Sequence, residues 1–294
     1  MEVKHYPVLH KEVLNFFKDL KGKYIVDATI GGGGHSYLLL KNLPDKHIIG
    51  IDKDQYAIEK AKERLKEFKD RFTPVKDSFR NVDKILDNLG INFVSGFLFD
   101  LGVSMFQLKT ERGFSFQREE FLDMRMDTSQ NLTAYDVVNT YPPYLLEKII
   151  KEYGEEKFFK RIVKAIVEYR RKKRIETTKE LADIVYQAYP KKFRHRRIHP
   201  ATKTFQAIRI EVNSELEEIK EGVSKAIDRL EKGGLIAVIS FHSLEDRIVK
   251  NIFKERKKLK DIEILTKKPI TPGKEEILEN PPSRSAKLRV AKRV

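Results

Sequence analysis

The feature that most limits what this chain can become is a run of four glycines, Gly31-Gly32-Gly33-Gly34, between an apolar tetrapeptide and a helical pattern. Tyr24-Ile25-Val26-Asp27 reads as a strand and His35 through Leu40 as a helix. Glycine adopts positive φ at little steric cost and, lacking Cβ, lets a ligand approach the backbone. The helix that follows offers unpaired N–H groups to an anion. The alternation then continues. His47 to Asp52 is a second strand, and Asp54 caps a helix whose inner face is Ile58, Ala61, Leu65 and Phe68. Phe72 to Val75 is a third strand, and Val82, Ile85, Leu86 and Leu89 mark a short helix. Phe93 to Asp100 is a fourth strand. Strands alternating with helices imply parallel βαβ units.

Residues 109–212 break this grammar and read as helices. One carries Phe158, Phe159, Ile162, Val163, Ile166 and Val167. Another follows the capping box Thr177-x-x-Glu180, and Pro200 opens a third. The βαβ pattern resumes at the capping box Ser214-x-x-Glu217, with Gly233-Gly234 ending that helix and Leu235 to Phe241 a strand buried on both faces. After Lys267 the chain is rich in proline and charge and reads as extended. The expected organisation is an α/β domain with a mainly parallel, Rossmann-like sheet, residues 1–108 and 213–294, interrupted by an all-helical insertion, residues 109–212.

The glycine spacing separates possible ligands. In a dinucleotide fingerprint starting at Gly31 and Gly33, Ser36 stands where the third glycine belongs, and Gly34-His35-Ser36 lacks the lysine of a Walker loop. Acids stand at three strand ends: Asp27 before the loop, Asp52 where ribose hydroxyls are usually held, and Asp100 at the carboxyl edge of the fourth strand. This set favours S-adenosylmethionine. Carboxylates can meet its amino group, backbone N–H groups its carboxylate, and Asp52 its ribose. Phe79 could stack on adenine or belong to the core, and Gln107 could hydrogen-bond adenine or the target. Asp100 and His242 are the candidate catalytic groups. His242 could equally be structural, with Glu245, Asp246 and Arg247 read as helix-start charges.

Composition narrows the chemistry. The chain has no cysteine. That excludes a thiolate nucleophile, hence the covalent adduct that C5 methylation of cytosine normally needs. It also excludes a zinc finger, an iron–sulfur cluster and a disulfide partner. No metal site is expected. Lys and Arg number 59 against 44 Asp and Glu, a net charge of +15. Residues 161–203 hold 14 of those bases and only four acids. A positive charge this concentrated points to RNA phosphates, with Arg194, Arg196, Arg197 and Lys203 as candidate contacts and Tyr189 and Phe193 as candidate base-stacking rings. No apolar run reaches the ~18 residues of a membrane span, and the first seven residues lack the apolar core of a signal peptide. A cytoplasmic protein without membrane association is expected.

Several segments are similar, in order, to those of the ribosomal RNA small subunit methyltransferase H family. They are His5-Tyr6-Pro7-Val8-Leu9, Asp27-Ala28-Thr29-Ile30-Gly31-Gly32-Gly33-Gly34-His35-Ser36, Asp100-Leu101-Gly102-Val103-Ser104 and Gly113-Phe114-Ser115-Phe116. Leu122-Asp123-Met124-Arg125-Met126-Asp127, Tyr153-Gly154-Glu155-Glu156 and the stretch from His199 to Ala207 follow. Ser240 to Arg247 and Asn280-Pro281 complete the series. The resemblance implies a class I methyltransferase acting on N4 of a cytidine in the decoding region of 16S rRNA, with 16S rRNA or the small ribosomal subunit as partner. It implies S-adenosylmethionine contacts at Gly33, Gly34, His35, Asp52, Phe79, Asp100 and Gln107. Ala28 and Met105 depart from the family's usual glycine and serine. A methyltransferase for another RNA atom and a non-catalytic ribosome-assembly factor are the alternative readings. A nicotinamide oxidoreductase is disfavoured by the glycine spacing.

Overall fold

The structure is a computed structural model that describes residues 7–103, 107–108, 110–195 and 198–294. It comprises two compact units, Met1–Gly102 with Leu216–Val294, and Val103–Glu215. The sequence pattern puts the corresponding breaks at 109 and 212.

The first unit is built on a seven-stranded sheet in the order β3-β2-β1-β4-β5-β7-β6. The strands are β1 (Tyr24–Asp27), β2 (His47–Asp52), β3 (Phe72–Lys76), β4 (Val94–Asp100), β5 (Leu230–Ser240), β6 (Ile262–Ile264) and β7 (Lys287–Arg293). The first five run parallel, whereas β7 pairs antiparallel with both β5 and β6. Side-chain alternation in the central strands feeds two cores. Phe97 and Phe99 of β4 face one side of the sheet, with Ile85 and Leu86 of α4 (Val82–Asn88) and Val223 and Ile227 of α10 (Glu215–Asp228). Leu98 faces the other side, with Phe17 of α1 (His10–Phe17), Leu39 and Leu40 of α2 (Gly34–Asn42), and Ile58 and Ala61 of α3 (Gln55–Arg64). Both faces are covered, which is why these strands read as continuous apolar runs. Strand order reverses between β1 and β4, so the crevice beyond their carboxyl ends is where an α/β sheet of this kind takes a ligand.

Two features differ from the sequence reading. Gly233-Gly234 does not end a helix. The preceding helix stops at Asp228 and the strand has begun by Leu230. Gly233, at φ 85°, lies where the β4–β5 register shifts. Nor does the charged tail stay outside the sheet. It forms the short α12 (Lys274–Glu279) and then β7, whose Arg289 is buried against Asp246 of α11 (Ser243–Lys258) in a bidentate pair at 2.7 and 3.1 Å.

The second unit is helical, with α5 (Ala134–Thr140), α6 (Pro143–Glu152), α7 (Phe159–Arg170), α8 (Thr178–Ala188) and α9 (Ala201–Asn213) around Leu146, Ile150, Ile162, Ile166, Leu181, Val185 and Ile208. Capping boxes at Thr133/Asp136 and Thr177/Glu180 start α5 and α8, and Pro143 occupies the first turn of α6. No helix among the described residues is long and apolar enough to cross a membrane.

Candidate cofactor and RNA sites

The carboxyl edge of β1, β2 and β4 gathers three acids around the glycine loop. Gly31 and Gly33 adopt positive φ, 48° and 74°. Asp52 ties the loop to β2: its Oδ2 accepts from the Gly31 N–H at 3.0 Å and its Oδ1 from the Asp54 N–H at 2.9 Å. Each oxygen keeps a lone pair for a further donor such as a ribose hydroxyl. Burial pushes the Asp52 carboxyl up to about 6, although those two N–H groups pull the other way.

Asp27 is 2% exposed and accepts the Ser36 hydroxyl at 2.7 Å. The serine standing where a dinucleotide fingerprint has glycine thus serves a buried carboxylate. Burial raises Asp27 to about 6, against the pull of Ser36 and His35. Asp100 is anchored through its backbone, whose N–H donates to Thr29 Oγ1 at 2.6 Å. Its side chain is 27% exposed, yet Oδ1 is buried and has no hydrogen-bond partner among the described residues. Burial, reinforced by the negative charge of Glu245, raises Asp100 to about 7. A buried carboxylate oxygen with no donor, at a topological switch point, fits a ligand that brings its own cationic N–H groups. With Asp52 set for hydroxyls and the loop N–H groups for a carboxylate, the residues present fit S-adenosylmethionine.

The glycines act differently from one another. A Cβ on Gly33 would come within 3.3 Å of the Ala61 backbone, so Gly33 lets α3 pack against the loop as well as leaving its N–H accessible. A Cβ on Gly34 would meet the flexible Arg64 guanidinium at 3.3 Å. Gly33→Ala is therefore expected to cost about 1–2 kcal/mol from left-handed backbone strain alone and to weaken cofactor binding severalfold. Gly34→Ala should leave stability within about 0.5 kcal/mol of wild type. Equilibrium denaturation and cofactor titration of the two variants check this contrast.

His35 is 5% exposed, and its ring is engaged within the protein. Nε2 lies 2.9 Å from the Val8 carbonyl and Nδ1 3.6 Å from Asp100 Oδ2. Phe79 is half-buried, edge-on to Phe99 at 5.4 Å, and lies close against α10, where a Cβ on Gly222 would meet its ring at 2.4 Å. His242 follows β5 on the same edge of the sheet and starts α11. Its ring is within 3.5 Å of the Glu245 N–H, while Glu245 Oε2 accepts from the N–H groups of Phe241 and His242. The histidine is thus one half of a capping box, and the fully buried Glu245 is the other. Asp246 and its bond to Arg289 continue this helix start, consistent with its reading as a structural charge. Thr29, Ser36 and Glu245 were not singled out from the sequence as members of this site. The Ser36 position in the glycine spacing and the His242-x-x-Glu245 spacing were the available signals.

In the second unit Gln107 is 5% exposed, and its carbonyl accepts from the N–H and hydroxyl of Thr110. Some bases of the cluster are engaged with backbone carbonyls. Arg170 donates to the carbonyls of Val138 and Tyr141, and Arg174 to that of Asn139, closing the end of α5. Arg194 donates to the carbonyls of Tyr189 and Gln187 at the end of α8 and lies over the Tyr186 ring. Lys203 donates to the Glu155 carbonyl. Tyr189 is 9% exposed, bonds Glu156 and packs edge-on to Phe158, so it is a core residue and not a base-stacking ring. Phe193 also packs on Phe158, 5.3 Å between centroids. Arg196 and Arg197 lie outside the described residues, as do Ser104 and Met105. Arg171, Lys172, Lys191 and Lys192 are among the exposed bases of the cluster, and Lys173, Arg174 and Lys203 are exposed as well.

The profile of the MraW methylase family matches residues 2–294, essentially the whole chain. The chain belongs to the MraW methylase family. It is 75% identical over 292 residues to Ribosomal RNA small subunit methyltransferase H of Persephonella marina, covering 99% of this chain and all of that one. The protein of that name from Sulfurihydrogenibium azorense is 68% identical, also over 292 residues, with the same coverage. That from Clostridium botulinum is 48% identical over 311 residues, covering both chains fully. The chain is an S-adenosylmethionine-dependent rRNA methylase, and the acids and loop of its α/β unit are in the place where such a fold holds the methyl donor.

Proposed function

We propose that this methylase transfers a methyl group from S-adenosylmethionine to N4 of a cytidine in the decoding region of 16S rRNA, working in the cytoplasm on the RNA or the small subunit. Similarity over the full length, at 75% identity, to a protein named Ribosomal RNA small subunit methyltransferase H carries the reading. The cofactor supplies an electrophilic methyl group, and the protein's part is to hold donor and acceptor in line. In the proposed arrangement Asp52 takes the ribose hydroxyls, the loop and the start of α2 take the carboxylate, and Asp100 with Asp27 faces the amino group. Phe79 completes the adenine contacts within the α/β unit. N4 of cytosine is a poor nucleophile because its lone pair is delocalised into the ring. An acceptor for an amino hydrogen would lower the barrier. Asp100 and the carbonyls that follow β4 are candidates for that acceptor. The capping role of His242 makes it a weaker one. The absence of cysteine removes the thiolate route to C5, leaving the exocyclic nitrogen or an oxygen as acceptor. Nucleoside mass mapping of small-subunit RNA after incubation tests the proposal. N4-methylcytidine supports it, and methylation at another atom refutes the assigned position.

The helical unit is proposed to grip RNA phosphates through its outward bases. Reversing Lys191 and Lys192 to Glu should lower RNA affinity and reduce the magnitude of its salt slope, by about 0.7–0.9 for each lost phosphate contact. Arg196 and Arg197 are assigned the same role. Arg170→Ala should instead cost about 1–3 kcal/mol of stability, because two helix-end carbonyls lose a charged donor, while the salt slope stays unchanged. Salt-dependent binding titrations and denaturation of these variants separate the two kinds of base.

A further inference from the structure

We propose that His35 is a positioning residue that keeps Asp100 protonated in the empty enzyme, so that docking of the amino group of S-adenosylmethionine expels one proton. The inference rests on the cofactor assignment above. It begins with two contacts on one ring. His35 Nε2 is 2.9 Å from the Val8 carbonyl, which can only accept, so Nε2 carries the hydrogen. A neutral ring then presents the bare lone pair of Nδ1 to Asp100 Oδ2 at 3.6 Å. An ionised Asp100 facing that lone pair has no donor from the ring, and its Oδ1 is buried without a partner among the described residues. The arrangement is satisfied when Asp100 holds a proton directed towards Nδ1, or when a ligand ammonium replaces that proton.

The surrounding charges favour the same state. Glu245 on α11 opposes ionisation of Asp100, and Asp100 in turn opposes ionisation of Asp27 on β1. Around the ring, burial holds His35 below its usual range, and His10 acts in the same direction, whereas Asp27 and Glu276 oppose them. Arriving as a cation, the amino group can donate to Oδ1 and Oδ2 of an ionised Asp100, and the released proton passes to buffer. No bond other than the Asp100 O–H is broken. The ring also reads the chain's start. Leu9, at φ 52°, is held by Glu276 Oε1 at 2.7 Å, and this keeps the Val8 carbonyl where His35 reaches it.

His35→Gln tests the idea, because its amide can occupy the place of Nε2 and donate to Val8 while removing the acceptor at Nδ1. His35→Asn does the reverse, placing an amide oxygen near Nδ1 and giving up the Val8 bond. Calorimetric titration of S-adenosylmethionine near pH 6.5, in buffers of different ionisation enthalpy, counts the protons released. Wild type should release about three-quarters of a proton at that pH, with affinity falling about tenfold per pH unit on the acid side of the Asp100 transition. His35→Gln should release clearly less and shift the affinity profile to lower pH, and His35→Asn should recover the release. S-Adenosylhomocysteine carries the same amino group and should release the same proton. Nitrogen NMR of the ligand-free chain gives an independent readout, in which the Nε2–H tautomer should persist from pH 6 to 8. An Nδ1–H tautomer, or equal proton release by wild type and His35→Gln, would overturn the inference and leave the methylase assignment intact. Failure of wild type to bind S-adenosylmethionine would instead overturn the cofactor assignment, with the tautomer still open to measurement.

Discussion

Asp100→Asn should make the empty protein more stable at pH 8 and a poorer methylase. Its carboxyl titrates near 7 in the fold, because burial and Glu245 disfavour the charge, against 3.8 for the free side chain. A group whose pKa is raised on folding binds more protons in the native state. Stability therefore declines as pH rises from about 4 through about 7, and the penalty is complete above that window. At about 1.4 kcal/mol per pKa unit, and allowing for the exposed part of the side chain, removing the charge should return about 2–4 kcal/mol at pH 8 and little at pH 4. Asp27 and Asp52 add to the same slope, and His35, lowered on folding, opposes it below about 6.5. Denaturant unfolding of the ligand-free variant across pH measures this directly. The same substitution should weaken S-adenosylmethionine binding, since a neutral amide is a poor partner for an ammonium group. Gain of stability with loss of binding is the mark of a charge kept for function. Equal stability of variant and wild type at pH 8 would mean that Asp100 is not buried as an ion.

Asp52→Ala should lower cofactor affinity by about 1.5–3 kcal/mol, roughly ten- to 150-fold, through loss of charge-assisted hydrogen bonds to the ribose. The structure adds a second contribution in the same direction. Asp52 bonds the Gly31 N–H, so truncation also loosens the glycine loop. Asp52→Asn separates the two effects in part, since its amide oxygen can still accept from Gly31 although its amide nitrogen gives up the bond from Asp54. It should lose less affinity than Ala and retain the thermal stability of wild type more closely. Calorimetry on both variants provides the check. A wild-type dissociation constant for Asp52→Ala would refute the ribose assignment.

Much of the α/β unit was legible because its signals are local. Runs such as Tyr24–Asp27 and His47–Asp52 are buried on both faces and need no distant partner to be recognised as strands. Asp54 caps α3 through the Tyr56 N–H, and Thr177 pairs with Glu180 at the start of α8, as their spacing predicts. The losses are non-local. Lys287, Arg289 and Lys292 hide the alternation of β7, and Arg289 becomes a strand residue only because Asp246, 43 positions away, neutralises it. Gly233 resembles a helix stop until the β4–β5 register shift gives it another use. The placement of the acids at the strand ends was readable. The partners that set their protonation, Ser36, His35 and Glu245, emerge only when three elements converge. In the basic cluster, net charge was readable but its direction was not. Arg170, Arg174 and Arg194 look like phosphate ligands in sequence and serve as helix-end donors in the fold.

A crystal of the protein soaked with S-adenosylmethionine addresses the account most directly. The donor should lie beyond the carboxyl ends of β1, β2 and β4, with ribose oxygens at hydrogen-bond distance, about 2.6–3.2 Å, from Asp52 and the amino group against Asp100. Clear density for the donor elsewhere, or an empty crevice beside Gly31 to Gly34 at saturating concentration, would contradict it.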